Sequence, residues 1–353
     1  MDIYATTVLN KVVEQKPAPS SFLLDKFFPV IQTGDTAEIH FDIDKSKPRI
    51  TPFVHPTVAG KVVADRGVET KSFKPAYAKD KRLLQPDSPL KRRPGEAIGG
   101  TLSPMQRRAA QLSDSVDDQL DMLTRREEVM ASEALRLGTV TVAGENYPTV
   151  VVNFGRDAAL TVALAGGARW AEAGVSVLDN LETWAGLVQA KSGAAPHEVT
   201  MDPLAWGIFR KDAEVKDLLD RQKRSANEAR APALDRGPMS RGDGADRARY
   251  VGMVGDFEIY VYSDVYVDEN GADQKMWPDY TVSLAAGNGG RKGGLEGVRA
   301  YGAILDEEAG YKAQRYFSKS WIEKDPAIRN LLLQSAPLVV PYRPNASFCA
   351  TVR

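Results

Sequence analysis

Histidine and cysteine are nearly missing from this 353-residue chain, which has three of the first and one of the second. Cys349 alone can form neither an internal disulfide nor a thiolate metal site, so a buried, inert thiol is its expected role. His40, His55 and His197 do not stand at metal-ligand spacing, which removes the usual donors of a metalloenzyme and leaves little general-base chemistry. No run approaches the roughly 18 consecutive apolar residues of a membrane span. The opening MDIYATTVLNKVVEQ also lacks a basic segment leading into an apolar one, so a soluble intracellular product is expected. Charge of one sign is lacking too: 46 Lys and Arg face 47 Asp and Glu, a net of −1, so the molecule as a whole has no basic excess for coating nucleic-acid phosphates.

The short motifs that remain do not converge on chemistry. The glycine-rich run at 287–294 is not closed by Gly-Lys-Ser/Thr and has no Rossmann spacing, so it reads as a flexible loop. Arg241-Gly242-Asp243 spells an adhesion tripeptide inside a polar stretch and reads as ordinary surface. Asp306, Glu307 and Glu308 have no nucleophile or base beside them and read as a solvated turn. Trp170, Trp184, Trp206, Trp277 and Trp321 are core or interface anchors. No catalytic residue, cofactor or metal is assigned, and the chain is not read as an enzyme.

What is present is enough apolar material, 43% of residues, for two or more domains. Residues 1–40 carry the cluster Phe22, Leu23, Leu24, Phe27 and Phe28 and read either as an arm laid on another surface or as an N-terminal core element. Residues 41–96 hold 13 basic against 7 acidic residues, and seven prolines between positions 48 and 94 forbid a long helix. Residues 60–63 and 68–73 are extended pieces separated by Asp65-Arg66-Gly67, a hairpin turn by composition. This basic, two-stranded excursion has too few apolar residues to organise a core and needs another surface to be stable. A long helix is spelled out next: Ser103 and Gln106 form a capping box, Pro104 takes the first position and Gly138 the C-terminal cap. Its apolar stripe runs through Met105, Ala109, Leu112, Val116, Leu120, Leu123, Met130, Ala134 and Leu137, which fits packing on a sheet or a coiled coil. A hairpin at 139–154 follows. Then come a helix through Leu178, Leu181, Trp184, Ala185 and Val188, and a second one started by Asp202-Pro203 that carries Trp206, Phe209, Val215, Leu218 and Leu219. Strands are expected at 250–252, 257–262, 265–267, 280–284, 297–304 and 338–340. Helices followed by strands make the class α+β.

That order of elements resembles the major capsid protein family of tailed bacteriophages, the family that includes the phage lambda head protein. Local matches are Phe27-Phe28-Pro29, the segment 56–62 with Arg66-Gly67, and Phe73-Lys74-Pro75-Ala76-Tyr77. Farther along are Asp202-Pro203, Trp206, Phe209, Gly255-Asp256, Trp321, Asp325-Pro326-Ala327 and the segment 334–338. The resemblance implies the HK97-like major capsid protein fold: N-terminal arm 1–40, extended loop region 41–100, peripheral domain with a spine helix 101–169, a mainly axial domain 170–330 and C-terminal return strands 331–353. It implies a subunit that forms pentamers and hexamers and self-assembles into the icosahedral head shell, a part of the virion assembled in the bacterial host cytoplasm. The implied partners are scaffold, maturation protease, portal and decoration protein, with packaged double-stranded DNA held without sequence-specific recognition and no membrane. Candidate intersubunit contacts are Phe27, Phe28, Val62, Val63, Arg66, Val68, Phe73 and Tyr77. The alternatives are the shell of a cellular nanocompartment and a soluble α+β enzyme.

Overall fold

The computed structural model describes residues 4–16, 19, 21–34, 36, 38–44, 50–57, 59, 61–63, 68–92, 96, 102–144, 147–216, 248–287, 293–325 and 328–353. In chain order these form α1 (Thr6–Gln15), α2 (Phe22–Phe27), β1 (Val30–Thr33), β2 (Ile39–Asp44), β3 (Val68–Phe73), β4 (Ala78–Leu84), α3 (Pro104–Leu137), β5 (Thr139–Gly144) and β6 (Tyr147–Asn153). They continue with β7 (Thr161–Ala163), α4 (Val177–Ser192), β8 (Glu198–Met201), α5 (Pro203–Phe209), β9 (Ala248–Val254), β10 (Phe257–Tyr262), β11 (Val265–Val267) and β12 (Asp273–Lys275). The last strands are β13 (Thr281–Ala285), β14 (Gly297–Tyr301), β15 (Phe317–Ile322), β16 (Arg329–Ser335), β17 (Pro337–Pro341) and β18 (Ser347–Thr351).

The spine α3 has the ends its sequence dictates. Ser103 Oγ accepts from the Gln106 amide, Gln106 returns the bond to the Ser103 amide, and Gly138 closes the helix at φ 68°. Arg156 donates to the Leu135 carbonyl at 2.6 Å and to that of Arg136, satisfying two C-terminal carbonyls that the helix cannot pair itself. A side chain at Gly138 would place its Cβ 2.7 Å from Arg156 Cβ, so the αL cap and the arginine require each other. The apolar stripe is buried from Leu112 to Leu135, but Met105, Ala109 and Leu137 are exposed because the helix overruns its core at both ends. The helix packs on α2 and on strands of its own chain, as the sheet-packing reading of its stripe has it.

Among the described residues, three large cores surround this frame. Leu112, Val116, Leu120 and Leu123 of α3 meet α1 and Leu331 and Leu333 of β16. Met130, Ala131, Ala134 and Leu135 meet α2, β2, the β5–β6 hairpin and β17. The third core lies around a six-stranded sheet of order β7-β18-β13-β8-β10-β9, where Trp170 stacks on Trp184 and Trp184 on Phe348. Strand β14 joins the sheet β1-β14-β17, and β4 pairs with β16 beside β15. Chain from the last third therefore returns to both sides of the spine.

Three expectations need correction. Residues 61–63 form no strand: β3 pairs with β2, from Ile39 opposite Phe73 to Asp44 opposite Val68, because Ile39, Phe41 and Ile43 alternate with polar residues and turn one apolar face into the core. The base of the excursion is thus a core element and not a free hairpin; the turn at 65–67 lies outside the described residues. The helix after Asp202 ends at Phe209, and a new turn starts at Asp212, whose Oδ1 accepts from the amides of Glu214 and Val215. Leu218, Leu219 and the tripeptide at 241–243 also lie outside the described residues.

Candidate assembly surfaces

Beyond the anchored β2–β3 base the chain changes character. Residues 45–67 include five basic residues and one acidic one, and the described residues 50–57, with Pro52 and Pro56, form no helix or strand. Ile50 is 87% exposed, Phe53 101% and Val62 94%, with Val54 and Val63 about half exposed. Large apolar side chains clustered on one segment in this way mark a surface that is to be covered. Full burial of a side chain of this size is worth about 1.5–3 kcal/mol.

The sequence-predicted contacts separate into three groups. Val62 and Val63 are presented to solvent. Phe27 and Phe28 are taken up inside the subunit, beside Leu23 and Leu24, and Phe73 is buried with Ile39 and Phe41. Tyr77 is half buried and donates its hydroxyl to the Ala303 carbonyl at 2.6 Å. Val68 stands in the ladder opposite Asp44, and Arg66 lies outside the described residues. Phe27, Phe28 and Phe73 are therefore core residues of the single subunit. Ile50, Phe53 and Val54 were not singled out from sequence, although their spacing between prolines, with no amphipathic period to bury them, was the available signal.

The arm is tied to the spine by an acidic residue in an apolar setting. Helix α2 has no side-chain cap of its own. Glu128 of α3 supplies one: its Oε1 accepts from the Phe22 amide at 3.1 Å and the Leu23 amide at 2.8 Å, its Oε2 from the Leu24 amide at 3.1 Å, and Tyr262 donates to Oε1 at 3.0 Å. Burial pushes the Glu128 carboxyl up, against the pull of these donors. Replacing Glu128 by Ala should orphan two buried amides and one part-buried one and lower stability by about 2–4 kcal/mol. Glu128→Gln, keeping one acceptor oxygen, should recover roughly half of that loss. Denaturant midpoints of the two variants check this.

Two kinds of comparison bear on the whole chain. The model of the family described as phage major capsid protein E matches residues 5–352. The chain is 30% identical to the major capsid protein of Escherichia phage lambda over 344 residues, 96% of each protein. It is 30% identical to that of Enterobacteria phage phi80 over 353 residues, 98% of each. A solved structure of a capsid protein from an Escherichia coli CFT073 prophage superposes with a TM-score of 0.73 at 22% identity, covering 99% of both chains.

Proposed function

This chain belongs to the phage major capsid protein E family, and from that premise we propose that the tip carrying Ile50, Phe53, Val54, Val62 and Val63 is where one shell subunit docks on the next. The family is structural and its members form the shell of the virion, so the work is assembly without turnover. The enzyme and nanocompartment alternatives give way to a match with phage heads over nearly the full length.

The observation that carries the docking reading is the contrast along one excursion. Ile39, Phe41, Ile43 and Phe73 fix its base in the subunit core, while the apolar tip has nothing of its own chain to cover it among the described residues. An anchored base with an uncovered apolar end suits a contact repeated around a closed ring, where each copy gives one tip and receives another. Rings of five and six copies, closing into an icosahedral head in the host cytoplasm, are the arrangement we assign. Scaffold, maturation protease, portal and decoration protein are the partners such a head calls for. A net charge of −1 fits a container for double-stranded DNA that touches its contents without reading sequence.

The test is co-expression of the full chain with the head-assembly proteins of its own phage, followed by sedimentation and electron microscopy. Hollow closed particles of uniform diameter are expected. A chain that stays monomeric in their presence overturns the proposal.

A further inference from the structure

The two cores that share the spine are not continuous. Between Leu123 of the first and Met130 of the second, α3 turns Thr124, Glu127 and Glu128 inward, so a polar seam crosses the buried face of the helix. Glu127 is 1% exposed. Its Oε1 accepts from the Tyr301 hydroxyl at 3.0 Å, while Oε2 is buried with no hydrogen-bond donor among the described residues. The groups facing it are Arg299 and Tyr301 on β14, Arg315 and Tyr316 on the segment entering β15, and Glu128 on its own helix. Arg299 also lies 3.7 Å from Asp25 of α2, so its charge is shared with another carboxylate.

The adjacent glutamates have unequal surroundings. Glu128 accepts from three amides and one hydroxyl, so a proton there would displace a donor already in place. Glu127 has a single donor and an open oxygen. Two neighbouring buried carboxylates resist both being ionised, and the proton goes to the one whose oxygen has nothing to lose.

We propose that Glu127 is a proton-binding site in the joint between the spine helix and β14, so that the joint tightens when acid fills the site and loosens as it empties toward neutral pH. Burial supports this, lifting the Glu127 carboxyl from its ordinary 4.5 to about 6. A carboxyl raised on folding binds its proton in the folded chain before the unfolded one, so the stabilisation is fully present below pH 4.5 and is lost as pH rises through about 6. Because Arg299 links the same seam to α2, the arm and β14 are held or released together.

The test compares the unfolding equilibrium of the full chain with that of Glu127→Gln, which is neutral at every pH, from about pH 4 to about pH 7. Across the window the folding constant of the wild type should fall by about 30-fold relative to the variant, the equivalent of the displaced proton affinity. A second variant, Tyr301→Phe, removes the hydroxyl that donates to Glu127 Oε1 and, with the Arg299 and Arg315 charges, favours the ionised form. Its fall should begin at the same pH as in the wild type, continue to higher pH and be larger in total, and this reading stands even if Glu127→Gln does not fold. Parallel pH profiles for wild type and Glu127→Gln, or an unmoved window in Tyr301→Phe, overturn the proposal.

Discussion

Leu120→Pro should leave no stable subunit. Leu120 is 2% exposed and sits near the middle of α3 among Val116, Leu123, Leu331 and Leu333. Proline there removes an internal helix hydrogen bond and clashes with the preceding turn, at about 3 kcal/mol or more. Loss of the leucine from its pocket adds about 2 kcal/mol, and the sum of about 5 kcal/mol reaches the whole stability of many domains. The spine also carries the second core and the Glu128 anchor for the arm, so a break at Leu120 is felt at both ends. Far-UV circular dichroism of any soluble product should show lost helix, and most of the chain should be insoluble. Particles of wild-type appearance would refute this.

Replacing residues 50–63 with a short Gly/Ser linker should have the opposite signature, a folded subunit that does not close shells. The apolar side chains removed, Ile50, Phe53, Val54, Val62 and Val63, are about half exposed or more in the single copy, so the subunit core loses little. Wider removal through residue 77 would be a different experiment, because it takes Phe73 out of the core and the Tyr77 hydroxyl from Ala303. For an interface repeated in every subunit, loss of roughly 25 cal/mol for each Å² left uncovered recurs around the ring. Thermal unfolding close to wild type, together with sedimentation showing open or small species, is the expected pair of results. Normal particles would sink the role of the tip, and global unfolding would make it part of the subunit core.

The two experiments also mark what was legible in the sequence. The ends of α3 were, because Ser103, Pro104, Gln106 and Gly138 act on neighbours within one turn and need no distant partner. The β5–β6 hairpin was legible for the same reason. Strand β4, Ala78–Leu84, was not: four of its seven residues are charged, and what makes it a strand is β16, far along the chain. Strands β8 and β18 are short and lie in the interior of their sheet, with no alternation to announce them. At the candidate surface, composition identified the basic excursion but not the division between Phe73, which is buried, and Phe53, which is not. That division depends on which residues find the core. Glu127 and Glu128 were not singled out from sequence, and only the folded packing turns them inward.

The sheets pair residues from opposite ends of the chain: Val30 lies beside Val298, Asp80 beside Leu333, and Thr161 beside Cys349. Each pairing must close a very long loop before any ladder bond repays it, whereas the capped spine can form from local contacts alone. The subunit therefore acquires its helix early and its sheets late, and a nascent chain holding only the first two thirds has no partner for β1, β4 or β7. Strands β1, β4 and β7 therefore wait for the last third of the chain before they can pair.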